Sequence, residues 1–212
     1  MPVIEPTLDH LVYAVPDLAV AVRDFEQRTG LRPVEGGRHL GRGTRNYLLR
    51  LGPTSYLEII GPDPIHPVAA GVAMPFGLEQ LTEPRLLTWA VHPPDFGAAV
   101  RASAAAGADL GAATAMSRRT PAGVLLEWQL ASVVPLPFGG VTPFLIDWGH
   151  SSHPAADPQL PQATLLALSG KHPYTAAVGK VLTALNVSLP LASGPAGLVA
   201  VLETPKGAVD LG

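Results

Sequence analysis

Three carboxylates stand inside apolar stretches of the sequence, where core packing gives no reason for a charge. Glu58 lies in YLEIIG, Glu127 in LLEWQL and Asp147 in FLIDWG. A carboxylate that points into a protein core is costly unless it is paired, hydrogen-bonded or bound to a ligand. Glu58, between Leu57 and Ile59, is the strongest candidate for a functional group. Glu127 is either a general base or a solvent-facing side chain of its strand.

Two histidines accompany these carboxylates. His10 lies in the apolar run LDHLVYAV, and His153 follows the stretch that contains Asp147. A strand histidine is commonly satisfied by a backbone carbonyl, and the alternative is a role as a ligand or proton carrier. Glu127 and His153 are the predicted catalytic residues, with either the carboxylate or a histidine as the general base.

Four further side chains are predicted to bind a substrate. Arg42 and Asn46, in GRGTRN, can hold a carboxylate or enolate oxygen by charge-assisted hydrogen bonds, although arginines at such positions are often solvated. Trp128 and Trp148 stand beside two of the carboxylates. They either wall an apolar pocket or pack in the core.

An internal repeat positions these residues. Three segments share an apolar run, a Pro-containing turn and a stretch with helical spacing, and they are residues 9–30, 85–107 and 163–186. Asp17 and Asp95 are predicted N-caps, with helices over about 17–29 and 95–106. Three strand-like runs follow each helix, separated by Gly- and Pro-containing turns. The order strand–helix–strand–strand–strand therefore occurs three times.

Composition limits the class of protein. The chain has 212 residues, of which 47% are hydrophobic and 15% charged, and these proportions are typical of a folded domain. The net charge of −3, without a Lys/Arg run, argues against a nucleic-acid partner. The absence of cysteine excludes disulfides and thiolate metal sites. The apolar runs are too short to span a membrane, and MPVIEPTLDH lacks signal-peptide features. We therefore predict a soluble, cytoplasmic protein.

In order and spacing, the motifs LDHLVYAV, GRGTRN, SYLEIIGPDP and PFLIDWG resemble the glyoxalase-like branch of the vicinal oxygen chelate superfamily. The resemblance implies an α+β fold of tandem βαβββ modules that form a curved mixed sheet, with an extra C-terminal βαβββ half. The paired modules are expected at about 8–61 and 85–149, within residues 1–150. A connector and the third unit are expected over 151–212, packed in the same domain.

The resemblance also implies a metal site. In catalytic members the ligands come from the first and last strand of each module, and on this chain those positions fall on His10, Glu58 and Asp147. This set suits Mn²⁺, Fe²⁺, Ni²⁺, Zn²⁺ or Mg²⁺, with open positions for water or substrate. The fourth position falls on Leu86, which cannot bind a metal, so a metal-free site is an equal expectation. His150 and His153, in the loop after the last strand, are candidate replacement ligands.

The resemblance implies a divalent-metal-dependent lyase, isomerase or dioxygenase that has a cleft for a small oxygenated substrate. The alternative is a metal-free protein of the same fold that binds or sequesters a small molecule, and the loss of the fourth ligand favours it. The polar residues retained in apolar strands favour the enzyme. The expected partner is a small molecule, and a homodimer is one expected assembly.

Overall fold

The protein contains three successive βαβββ units, as the sequence repeat predicts. The computed structural model describes residues 8–212, so part of the segment used to argue against a signal peptide lies outside the described residues. The first unit comprises β1 (Leu8–Ala14), α1 (Leu18–Thr29), β2 (Val34–His39), β3 (Thr44–Arg50) and β4 (Tyr56–Pro62). The second comprises β5 (Arg85–Val91), α2 (Phe96–Ala105), β6 (Thr114–Arg119), β7 (Leu125–Ala131) and β8 (Phe144–Asp147). The third comprises β9 (Thr164–Lys171), α3 (Thr175–Ala184), β10 (Leu191–Ala192), β11 (Gly197–Thr204) and β12 (Gly207–Leu211).

Side-chain caps begin the first two helices. Asp17 accepts a hydrogen bond from the Val20 amide at 3.0 Å, and Asp95 accepts one from the Ala98 amide at 2.8 Å. Each bond satisfies an amide that has no partner within its helix. Gly30 ends α1 with a φ of 75°, a left-handed conformation that costs glycine least. The predicted helices are thus confirmed.

The first two units close into one eight-stranded barrel. The strand order is β1-β4-β3-β2-β6-β7-β8-β5. The β1–β4 and β5–β8 pairs are parallel and the others are antiparallel. The units meet along a long ladder between β1 and β5, and along a short one that pairs Arg38 with Arg119 and His39 with Arg118. The predicted curved mixed sheet is confirmed.

Alternation along the strands divides the barrel wall into two faces. In β4, Leu57 and Ile59 point outward into the main core, and in β8 Leu145 does the same. Phe144 and Ile146 of β8 belong to a second, smaller apolar cluster inside the barrel. Successive side chains of a strand point to opposite sides. A shift of one residue in the strand register therefore moves a side chain from the core to the barrel interior.

The third unit forms a separate four-stranded sheet in the order β10-β9-β11-β12. It packs against the barrel through β11 on β5, α3 on α2, and β12 on α1. Apolar side chains of β11 and α3 join the main core, among them Leu198, Leu202, Val178 and Val181. Within residues 8–212, none of the helices is long and apolar enough to cross a membrane.

Candidate functional site

A cavity of about 220 Å³ lies inside the barrel, between the first two units. The first unit supplies its polar wall, which includes His10, His39, Arg42, Asn46, Tyr56 and Glu58. The second unit supplies an apolar wall, which includes Met116, Trp128, Leu130, Phe144, Ile146 and Trp148. The connector between the units contributes Ala73, Met74, Pro75 and Phe76.

Glu58 lies at the centre of the polar wall and is 6% exposed. Its Oε1 accepts a hydrogen bond from Asn46 Nδ2 at 2.6 Å. The Nε2 atom of His39 lies 3.6 Å from Oε1, and that of His10 lies 3.7 Å from Oε2. Two imidazole rings therefore flank the buried carboxylate, one on each oxygen.

Asp9 contacts His10 at Nδ1, the ring nitrogen that does not face Glu58. Its Oδ1 lies 2.6 Å from His10 Nδ1, while its Oδ2 accepts from Trp148 Nε1 at 3.0 Å and lies 3.2 Å from His153 Nε2. Burial opposes ionisation of Asp9, but the hydrogen bonds and charges of His10 and His153 outweigh it and hold the pKa of Asp9 well below its usual range. Because Asp9 is ionised, the proton of a neutral His10 resides on Nδ1. Its Nε2 then presents a lone pair beside Glu58.

His39 is an uncharged partner in the same wall at neutral pH. Burial, with the charges of Arg118 and Arg42, lowers the pKa of His39 to about 4 against the opposing effect of Glu58. Its Nδ1 lies 2.9 Å from Thr44 Oγ1. The second ring nitrogen, Nε2, is the one directed at Glu58.

Arg118 and Tyr56 complete the buried surroundings of Glu58. Arg118 is 3% exposed and donates a hydrogen bond to the Gly36 carbonyl, and burial lowers the pKa of its guanidinium. The Tyr56 ring stacks on His10 with centroids 4.7 Å apart. Burial and the charges of Asp9 and Glu58 raise the pKa of Tyr56 well above 10, so its hydroxyl stays protonated.

The structure brings His10 and Glu58 together but leaves Asp147 outside. Asp147 lies on a shallow outer groove, where it accepts from Gln129 Nε2 and the Gly149 amide, both at 2.9 Å. These two hydrogen bonds lower its pKa, and its side chain is 32% exposed. Glu127 is exposed and lines the same groove, so it too stands apart from the cavity.

Strand register explains why the sequence alignment misplaced the second unit's positions. The ladder between β1 and β5 is symmetric about the Leu11–Trp89 pair, because His10 pairs with Ala90 and Val12 pairs with Thr88. Thr88 is therefore the counterpart of His10. On β8, Phe144 and Ile146 line the cavity and Asp147 does not. Leu86 packs in the outer core, and Asp147 points out because it neighbours the inward Ile146. The hydrophobic pattern does not specify the register here, because both faces of β5 and β8 carry buried apolar side chains.

The ligand set expected from the resemblance does not fit this structure. Its three members, His10, Glu58 and Asp147, do not converge, since the carboxylate of Asp147 lies on the other side of the barrel wall. Over the described span, residues 8–212, no group of three or more His, Asp or Glu side chains is arranged to hold a metal ion. The function is therefore derived from the side chains themselves.

The four predicted substrate contacts, Arg42, Asn46, Trp128 and Trp148, all line the cavity. His153 is not part of the cavity lining. Its Nε2 contacts Asp9 Oδ2, and its ring centroid lies 5.5 Å from that of Tyr56.

Sequence reasoning missed Asp9, His39, Tyr56 and Phe76. The adjacent acid and imidazole in LDH were a usable signal for Asp9, and the His at the end of GGRH was one for His39.

The fold of paired βαβββ units is that of the vicinal oxygen chelate superfamily. The chain belongs to its glyoxalase-like branch, because the family model described as a glyoxalase-like domain matches residues 8–185. Comparison with curated proteins gave no significant match.

Solved structures support the fold. A hypothetical protein from Staphylococcus aureus is similar over 96% of this chain and 84% of its own, with a TM-score of 0.62 and 16% identity. A variant of 4-hydroxymandelate synthase from Streptomyces coelicolor is similar over 97% of this chain and 62% of its own, with a TM-score of 0.50 and 15% identity. Methylmalonyl-CoA epimerase from Mycobacterium tuberculosis aligns more loosely, over 66% and 85%, with a TM-score of 0.39 and 19% identity.

Proposed function

We propose that the barrel cavity is the active site of an enzyme that moves a proton on a small oxygenated substrate, in an isomerase- or lyase-type reaction. The observation that carries this proposal is the Asp9–His10 pair, with Nδ1 of His10 bonded to a buried carboxylate at 2.6 Å and the ring lining the cavity. A base oriented in this way by a carboxylate is a recurrent arrangement in proton transfer.

In the proposed step, His10 Nε2 takes a proton from a carbon next to a substrate carbonyl. The carbon–hydrogen bond breaks, its electron pair forms an enolate, and the imidazolium returns the proton to the substrate. Asp9 stabilises the imidazolium, and Trp148 and His153 hold Asp9 in place. Arg42, on the cavity wall, offers a positive charge for the enolate oxygen.

Hydrogen exchange into small carbonyl compounds tests this proposal. The protein is incubated in D₂O with a panel of aldehydes, ketones and hydroxy ketones, and carbon-bound deuterium is followed by NMR. We expect at least one compound to exchange in the presence of the wild type. His10→Gln should slow that exchange by about 100-fold or more, the usual contribution of a general base. Asp9→Asn should slow it as well, because the amide no longer favours the required tautomer of His10.

Asp147→Asn is the matched control, since this carboxylate lies on the outer groove and should leave exchange unchanged. Exchange that survives His10→Gln would remove His10 as the base.

A metal-free binding protein is the second candidate, and the apolar wall of the second unit favours it. If compounds from the panel shift cavity resonances but none gains deuterium, this second function replaces the enzyme. A cytoplasmic location and a homodimer are also proposed, and analytical ultracentrifugation measures the latter.

A further inference from the structure

We infer that the natural ligand of this cavity carries an uncharged hydroxyl, beside the carbonyl that the proposed reaction requires, on a ring-shaped apolar body, and that this hydroxyl donates its single hydrogen to Glu58. This inference names the ligand class of the proposed function and rests on it, because it requires a small molecule in the same cavity.

The polar wall presents hydrogen-bond acceptors. Asp9 holds the proton of neutral His10 on Nδ1, which leaves Nε2 as an acceptor. Asn46 Nδ2, a donor, lies 3.5 Å from His39 Nε2, which favours the same role for that nitrogen. Both carboxylate oxygens of Glu58 are acceptors as well.

The distances leave room for a donor between these acceptors. His10 Nε2 and Glu58 Oε2 are 3.7 Å apart, and His39 Nε2 and Glu58 Oε1 are 3.6 Å apart. Both separations exceed a hydrogen bond, and two acceptors do not bond each other. Asn46 Nδ2 already donates to Glu58 Oε1 beside His39 Nε2, so the open acceptor is Glu58 Oε2, to which a hydroxyl can donate its one hydrogen.

Charge selects a neutral donor. A ligand carboxylate at this wall would face the charge of Glu58, which is 6% exposed. A ligand ammonium would lose its water on burial and face the charges of Arg118 and Arg42, and burial with these charges already outweighs the attraction of Glu58 in lowering the pKa of His39. An alcohol supplies the hydrogen and meets neither penalty.

The opposite wall accommodates a ring. The rings of Trp128 and Trp148 have centroids 5.1 Å apart, and those of Phe76 and Phe144 have centroids 5.4 Å apart. The volume of about 220 Å³ exceeds the roughly 150 Å³ of a cavity that holds benzene, so a phenyl ring with a short substituent fits.

Four probes of one shape test the inference on the wild-type protein: benzyl alcohol, benzyl methyl ether, benzoate and benzylammonium. Dissociation constants come from NMR titration, with the Trp128 and Trp148 indole resonances as reporters of the cavity. We expect benzyl alcohol to bind about tenfold more tightly than the ether, which has the ring but no donor. An ether within about threefold of the alcohol, or tighter binding of either charged probe, overturns the inference.

Glu58→Gln should reduce the preference for alcohol over ether to about threefold or less, because the amide replaces one acceptor by a donor. Glu127→Gln makes the same change on the outer groove and should preserve the full preference. Glu58→Leu provides a second variant if Glu58→Gln does not fold, with the same expected loss, because it removes both acceptor oxygens. If no panel compound and no probe enters the cavity, the proposed function fails as well. Equal binding of alcohol and ether refutes only the ligand class.

Discussion

The two halves of the barrel share a fold and differ in chemistry. On β1 and β4 the first unit places His10, Tyr56 and Glu58 in the barrel interior, whereas on β5 and β8 the second unit places Ala90, Phe144 and Ile146 there. All six are buried, so both sets experience the same low-dielectric interior. The first unit supplies compensating polar groups from its own strands, namely Asn46 and His39.

The comparison shows that a carboxylate is stable in the barrel interior only where neighbouring groups donate hydrogen bonds to it or balance its charge. Glu58 has a donor and two imidazoles beside it, whereas the surroundings of Ile146 are apolar. An eight-stranded barrel built from two similar units therefore carries its polar chemistry on one side and a hydrophobic wall on the other.

A carboxylate added to the apolar wall should have the largest effect on the free energy of unfolding. Ile146→Glu places an unpaired acid among apolar side chains, and we expect it to lower the free energy of unfolding by about 3–5 kcal/mol at pH 7. Urea denaturation measures the loss. A cost below about 1 kcal/mol would mean that the second wall is as polar as the first.

His39, on the polar wall, should make the free energy of unfolding depend on pH. The unfolded chain protonates His39 below its ordinary pKa near 6.5, but the folded protein does so only below about 4. Stability therefore falls as pH decreases from about 6.5 to 4, by about 3 kcal/mol from this residue. His39→Gln should flatten the curve in that window. An identical pH dependence in variant and wild type would contradict the prediction.

A hydrogen bond between side chains, from Trp148 Nε1 to Asp9 Oδ2, also links the two halves. Trp148→Phe should cost about 2 kcal/mol, because it removes a donor from a buried charge. Trp128→Phe serves as the comparison, since it trims an indole of the same wall that lies on β7. Thermal denaturation of the two variants should rank Trp148→Phe clearly lower.

The smallest effect should come from Asp147. Its carboxylate is partly exposed on the outer groove, so Asp147→Asn should change the free energy of unfolding by no more than about 0.5 kcal/mol. Added Mn²⁺ or Ni²⁺ should give the same melting-temperature shift in this variant as in the wild type. A metal-induced rise that disappears in Asp147→Asn would restore this residue to a metal site.

Much of the fold was predictable because its signals are local. The caps Asp17 and Asp95, the stop at Gly30 and the turns between strands are encoded within a few residues, and the three units followed from them. His10 and Glu58 were also predictable, since a polar side chain in an apolar strand is visible in the sequence.

The rest of the site depends on pairing between distant strands. Register places Ile146 rather than Asp147 inside the barrel, and the continuous apolar run before Asp147 does not show which face is inward. A register shift between Leu8 and His10 accompanies the contact between Asp9 and its neighbour, which simple alternation would separate. His39 joins Glu58 only because β2, β3 and β4 lie side by side.

The unequal ladders between the units have a mechanical consequence. The long β1–β5 ladder acts as a hinge, and the short pairing of Arg38 and His39 with Arg119 and Arg118 acts as a latch. Breaking the latch exposes few backbone groups, so it should open at a lower free energy than the hinge. Hydrogen–deuterium exchange should therefore be faster at the β2 and β6 amides than along β1. Such opening gives a small molecule a route through the wall that leaves the main core intact.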